Sequence, residues 1–165
     1  MRALRFGVFM RVSTFMWNLE KLAQELHIPS ADTLTYFQDG RRASFIVERR
    51  LAFEYLKGRI ADSEGAGYDV FDQSGKKWEV RCLTKGGMYF CPSYMKGSGR
   101  KFEEIGFLEK LDEIEGYLIG KITNFPEVPV YEINKSQVYK WWKGGELGTT
   151  SEISLKKAEL LFANS

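Results

Sequence analysis

Residues 67–82 read GYDVFDQSGKKWEVRC, and the rest of the chain is best understood outward from them. Tyr68, Val70 and Phe71 on one side and Trp78, Val80 and Cys82 on the other flank a polar segment that contains Gly75. Apolar and aromatic runs separated by a Gly-containing turn predict a β-hairpin over 68–82. Each run nevertheless carries a carboxylate, Asp69 and Glu79, and Arg81 follows Glu79 two places on. Side chains alternate across a strand, so Glu79 and Arg81 share one face while Trp78, Val80 and Cys82 share the other. A hairpin pivoting on Gly75 sets Asp69 opposite Arg81 and Phe71 opposite Glu79, with both carboxylates on one face. A pivot half a residue away separates them. Two readings stand side by side. The carboxylates belong to the solvent face of an ordinary amphipathic hairpin, with Asp69–Arg81 as a cross-strand ion pair, or they turn inward around something they bind.

The segment upstream favours the second reading. Residues 43–60, ASFIVERRLAFEYLKGRI, predict a helix bounded by Gly40 before it and SEGAG (63–67) after it. Steps of three and four place Ser44, Phe45, Glu48, Leu51, Ala52 and Tyr55 on one side. Glu48 sits in the middle of that mostly apolar face, and a lone buried carboxylate is costly unless a cation meets it. Arg49 and Arg50 project elsewhere, and Glu54 lies nearer Arg50 and Lys57. Glu48, Asp69 and Glu79 are thus expected to aim inward together. Hard divalent cations take such oxygen ligands, and Mg²⁺ needs few of them because it keeps waters.

Farther out, FGVFMRV (6–12) reads as strand or extended chain, and TFMWNLEKLAQELHI (14–28) as a helix with Phe15, Leu19, Leu22 and Leu26 in register. PSADTLTYFQDGRR (29–42) is turn-rich and then basic. GGMYFCPS (86–93) reads as a third strand, SYMKGSGRK (93–101) as a Gly-rich basic loop, and KFEEIGFLEKLDEI (101–114) as a helix with Phe102, Ile105, Leu108 and Leu111 aligned. GYLIGKI (116–122) and VPVYEI (128–133) are strands, and KSQVYKWW (135–142) and SLKKAELLF (154–162) closing helices. No repeat or long linker divides the chain. The expectation is an α/β fold, a mixed central β-sheet flanked by helices, as one domain over 1–165. It divides into an N-terminal helical or dimerisation region (1–39), a core (40–133) and C-terminal helices (134–165).

Composition narrows the function classes. With 24 Lys and Arg against 22 Asp and Glu in 165 residues, net charge alone identifies no nucleic-acid binder, so any basic surface must come from local clustering. Cys82 and Cys91 with the single histidine, His27, leave no set for a structural zinc site. Free thiols in a reducing cytosol are expected for the two cysteines, a disulfide being the alternative. Arg2, Arg5 and Arg11 interrupt the N-terminal apolar run before it reaches signal-peptide length, and no segment approaches a membrane span. A cytoplasmic protein without membrane partners is expected.

A helix with an inward Glu48, the GYDV strand, a Gly-containing turn and the WEVR strand resembles the PD-(D/E)XK nuclease superfamily. The matching motif is Asp69, then Glu79-Val80-Arg81, and in spacing and length the chain is especially similar to small type II restriction endonucleases. The resemblance covers roughly residues 40–133 and implies a restriction-endonuclease-like core and Mg²⁺-dependent, sequence-specific cleavage of double-stranded DNA by a homodimer. It assigns Asp69 and Glu79 to the metal, Glu48 to support of the site or a second metal, and Arg81 to the scissile phosphate. The family usually has Lys where this chain has Arg81, and arginine does not deprotonate, so Arg81 can stabilise charge but cannot act as a general base.

Basic residues expected to contact DNA are Arg41 and Arg42, Lys85 in KGGMY, Tyr94 and Lys96, and Arg100 and Lys101 at the start of the third helix, where a phosphate could sit on the helix N-terminus. KGSGRK lacks the full phosphate-loop pattern, so no nucleotide cofactor is expected. Two alternatives remain. KLAQELHIPS…TLTYF resembles a helix-turn-helix DNA-binding regulator, with its second helix at SADTLTYF, although that helix carries Asp32 and no Lys or Arg. The other is a catalytically inactive, DNA-binding domain of the nuclease fold.

Overall fold

The computed structural model describes residues 10–63 and 66–163. Residues 6–9 of the expected first strand, Arg2, Arg5 and part of SEGAG lie outside them. In chain order the strands are β1 (Met10–Met16), β2 (Arg59–Ile60), β3 (Val70–Phe71), β4 (Lys77–Leu83), β5 (Met88–Tyr89), β6 (Gly116–Lys121), β7 (Glu127–Asn134) and β8 (Glu152–Ile153). Six of them form one mixed sheet in the order β1-β7-β6-β4-β3-β2. Only β4 and β6 run parallel; the other neighbours are antiparallel. The helices are α1 (Leu19–Leu26), α2 (Ser30–Phe37), α3 (Gly40–Arg50), α4 (Glu104–Glu113), α5 (Lys135–Lys143) and α6 (Leu155–Ala163).

Each face of the sheet has its own core. On one face Val47 and Leu51 pack on Val70, Trp78 and Val80 and on Leu118, Val128 and Val130. On the other, Phe107 and Leu111 of α4, Val138 and Trp141 of α5, and Ala158 and Phe162 of α6 cover Leu83, Tyr117, Ile119 and Ile133. A mixed α/β sheet flanked by helices is therefore what the sequence folds into. Among the described residues no helix is long and apolar enough to cross a membrane.

Several local expectations need correction. Residues 14–16 belong to β1, where Phe15 is buried, so α1 begins only at Leu19, capped by Asn18, whose side chain accepts the Lys21 N–H at 2.9 Å. The turn-rich 29–42 segment holds a helix, α2, at the SADTLTYF bounds of the helix-turn-helix alternative; it starts directly after Pro29, a residue suited to a helix start because its missing N–H would be unbonded there anyway. The helix expected over 43–60 is α3 plus one wide turn at Leu51–Tyr55; Lys57 then takes a left-handed conformation and β2 begins at Arg59. β5 is no member of the main sheet but pairs with β8. In α4 the buried side is Phe107, Lys110 and Leu111, while Ile105 is 74% exposed, because the helix starts only at Glu104 and the register counted from Phe102 does not hold.

α3 lies close on the sheet. A Cβ at Gly40, its first residue, would stand 2.7 Å from Thr84 Cγ2, so any larger residue there would push the helix or the threonine aside. Asp39 caps the helix, its side chain accepting the Arg41 N–H at 3.0 Å. That tight entry brings the first turns of α3 over the end of β4.

Candidate functional site

The hairpin turns one residue earlier than expected. Val70 pairs with Trp78 and Phe71 with Lys77, which centres the turn on Ser74 and not on Gly75. The cause is Asp72, whose carboxylate accepts the backbone N–H groups of Ser74 (2.8 Å) and Lys76 (3.0 Å) and so winds the chain around itself. β3 is only two residues long, whereas β4 runs on to Leu83. Asp69 Oδ2 accepts the Val80 N–H at 2.7 Å, just where the β3–β4 ladder has ended. That bond fixes the carboxylate at an open notch in the sheet.

Two clefts meet at this notch. The larger, ≈ 980 Å³, has Glu48, Asp69, Val80, Arg81 and Cys82 in its lining, with Arg41, Lys85 and Lys96 among the residues around them. The smaller, ≈ 460 Å³, is lined by Asp69, Glu79, Arg81, Tyr94 and Lys110 among others. Asp69 and Arg81 belong to both. The four residues singled out for chemistry thus come together, from α3, the residue before β3, and β4.

They do so in two distinct electrostatic states. Glu79 is buried, and both of its carboxylate oxygens are occupied: Oε1 by the Arg81 guanidinium and Oε2 by the Lys110 ammonium. Lys110 Nζ also donates to Gly67 O, which ties α4 to the chain leading into Asp69. Arg81 spends three more donors on backbone, Nε to Tyr89 O (3.2 Å), Nη2 to Cys91 O (3.2 Å) and Nη1 to Val80 O (3.3 Å). Burial works against its charge, yet the Glu79 carboxylate holds its pKa above the ordinary value.

Glu48 and Asp69 are unlike this. Among the described residues neither forms an ion pair. Burial, and then the nearby Asp69 carboxylate, push Glu48 up to about 7. Burial, and then Glu79, push Asp69 up to about 6 against the pull of the Val80 N–H, Arg81 and Lys110. Burial followed by Glu48 lifts the Cys82 thiol to about 12, so it is a protonated wall of the cleft and no nucleophile.

Of the residues expected to meet DNA, Arg41, Lys85 and Lys96 line the larger cleft and Tyr94 the smaller. Lys96 divides its Nζ between Thr150 (3.2 Å) and Glu152 (3.3 Å). Arg42, Arg100 and Lys101 line neither cleft; Arg100 folds back on Ser93 O and Lys96 O. Lys110 escaped the sequence reading. Its signal was a lone cation in the apolar row Phe107, Leu111 and Ile114, the same pattern that picked out Glu48 on α3.

Among the described residues no three His, Cys, Asp or Glu side chains gather to hold a metal ion. The uncommitted carboxylates come as a pair, Glu48 and Asp69. Two carboxylates beside an open cleft suit Mg²⁺, which binds through one or two of them and keeps waters. Glu79 could join only by exchanging one of its two cations. No family model matches the chain, and no curated protein or solved structure does so either.

Proposed function

We propose that the protein is a Mg²⁺-dependent phosphodiester hydrolase of the restriction-endonuclease type, acting on DNA in the larger cleft, with Glu48 and Asp69 as the metal-holding carboxylates. The observation that carries this reading is the convergence of these two unpaired, burial-strained carboxylates on a cleft bordered by Arg41, Lys85 and Lys96. Acids that repel each other call for a cation, and cations at the rim call for phosphates. The order helix, strand, turn, strand around Glu48, Asp69 and Glu79-Val80-Arg81 supports the restriction-endonuclease-like core. A divalent cation there supplies Lewis acidity toward a phosphate oxygen and lowers the pKa of water.

The chain's own groups have separable roles. The Val80 N–H aims Asp69 into the cleft. Arg41, Lys85 and Lys96 neutralise phosphates on either side of the reacting one. Arg81 lends fixed positive charge to the notch while Glu79 and the Tyr89 and Cys91 carbonyls hold it still. A small chain that cuts both strands of a duplex does so as a two-fold homodimer, which matches a palindromic site.

The second reading, a DNA-binding domain of the nuclease fold without catalysis, is favoured by one feature: four of the five N–H donors of Arg81 are directed to protein partners. A nicking assay on mixed-sequence plasmid with Mg²⁺ or Mn²⁺, EDTA controls and Asp69→Asn separates the two. Metal-dependent nicking by the parent, lost in Asp69→Asn, is the expected result. DNA binding without nicking under either metal transfers support to the second reading, and absence of both overturns the two together.

A further inference from the structure

The side of α3 turned away from the sheet carries an arrangement that the carboxylate cleft does not use. Positions 42, 45, 49 and 53 step by three and four and hold Arg42, Phe45, Arg49 and Phe53. The buried row of the same helix is Ala43, Val47 and Leu51, on the opposite side. Phe45 and Phe53 are 58% and 56% exposed, so two phenyl rings stand in water where they add nothing to the core. They are not loose. The Arg49 guanidinium lies over the Phe45 ring, 3.3 Å from its centroid, and donates to Phe45 O at 3.2 Å. Next to them Arg42 sits 4.6 Å over the half-exposed ring of Tyr36.

We propose that this face of α3 and of the wide turn that follows it is a binding strip for an unpaired nucleic-acid strand beside the carboxylate cleft. It deepens the nuclease reading and rests on it for the course of the strand, since Arg41, Ser44 and Glu48 on the adjoining side of α3 line the cleft.

Charge and shape select the occupant. Among the described residues Arg42 and Arg49 form no ion pair, and Arg41, 95% exposed, only brushes Asp39 at 4.0 Å. Of the two acids near this stretch, Glu48 lines the cleft on the adjoining side and Glu54 is taken by Arg50 through contacts of 2.8–3.0 Å. The strip is therefore cationic, which suits a polyphosphate backbone. Its flat rings, alternating with guanidinium groups, suit base faces, and base faces are free only where the strand is unpaired. Phe45 on α3 and Phe53 on the wide turn that follows are about two turns apart along the chain, with Arg49 between them. A second copy of this chain fits poorly, because a two-fold contact here would set Arg41, Arg42 and Arg49 against their own copies.

The test is binding without cleavage. Fluorescence anisotropy in EDTA follows a labelled mixed-sequence single strand, its duplex, and an abasic strand of equal length. The proteins are the parent, Phe45→Ala/Phe53→Ala and Arg42→Gln/Arg49→Gln, all changes at exposed or half-exposed positions that leave the core intact. The parent is expected to bind the single strand more tightly than the abasic strand, and to hold the duplex through the cleft without the strip. Phe45→Ala/Phe53→Ala is expected to weaken single-strand binding by roughly 10- to 100-fold and duplex binding by less than about 3-fold. Arg42→Gln/Arg49→Gln should weaken all three ligands and flatten the salt dependence. Equal loss on single strand and duplex, or no loss, overturns the proposal. So does loss of self-association, or of binding to phosphatidylserine vesicles, in the phenylalanine variant with its DNA binding intact. Because EDTA removes the metal, failure of the nicking assay leaves this result standing on its own.

Discussion

On either side of Val80 the protein treats acids in opposite ways. Glu79 has a cation on each oxygen, with Arg81 and Lys110 locked in turn to backbone carbonyls. Glu48 and Asp69 have burial and each other, and both are held partly protonated near neutrality. A buried charge that is fully paired specifies structure, and a buried charge that is left unpaired carries a cost that a proton or a cation relieves. This difference splits the motif Asp69, Glu79-Val80-Arg81 into two parts. Glu79 and Arg81 hold the notch, while Asp69, with Glu48 from α3, faces what enters it.

The largest effect expected from this division is catalytic. Asp69→Asn should lower metal-dependent nicking by ~10²–10³-fold or more, the scale for deleting one preorganised electrostatic group. Its amide oxygen can still accept the Val80 N–H, so fold disruption is not the cause. Near-parental nicking by Asp69→Asn would remove Asp69 from the chemistry.

Next comes the paired side. Lys110→Met should cost about 3–5 kcal/mol in urea unfolding, because it strips one partner from a buried pair. Adding Glu79→Gln to it should recover a good part of that loss. Simple additivity of the two changes would contradict the coupling between α4 and β4.

Arg81→Lys is a milder probe. Lysine can keep the Glu79 contact but gives up the fork onto Tyr89 O and Cys91 O, and a loss of about 1–3 kcal/mol is expected. Nicking should stay within about tenfold of the parent. A fall as deep as that of Asp69→Asn would move Arg81 from the holding group to the reacting one.

The smallest effect is a pH trend without metal. Both folded pKa values lie above the ordinary carboxylate range, so the native state keeps protons that the unfolded chain releases between about pH 4 and 7. The contribution of these two groups to stability therefore falls as pH rises through that window and levels off above it. Asp69→Asn should flatten the trend in a pH series of thermal melts, and an unchanged slope would count against the strain.

Much of this was legible in the sequence, and where it was not the reason is physical. Alternation and Gly-bounded runs were enough for β3, β4, β6 and β7, and the apolar setting of Glu48 pointed to the cleft. The turn register was missed because the Asp72 side chain winds the turn about Ser74, with Gly75 supplying its left-handed residue and not its centre. α2 was read as turn in the main description, because Pro29 and Ser30 serve equally as a turn and a helix start, and as a helix at SADTLTYF only in the helix-turn-helix alternative. Lys110 was missed since the α4 register was counted from Phe102, which precedes the helix. No one-dimensional pattern could assign the Glu79 oxygens, because Lys110 arrives from an element 31 residues away.

The central claim is that Glu48 and Asp69 form a cation site strained by its own charge. Mn²⁺ titration calorimetry at pH 8 and pH 5.5, on the parent and Asp69→Asn, addresses it directly. The parent should bind saturably at pH 8, more weakly at pH 5.5 where protons compete for the same oxygens. Asp69→Asn should bind little at either pH and, in EDTA at pH 8, melt at a higher temperature than the parent. Equal Mn²⁺ binding by parent and Asp69→Asn, or a metal-free Asp69→Asn that melts lower, would contradict the account.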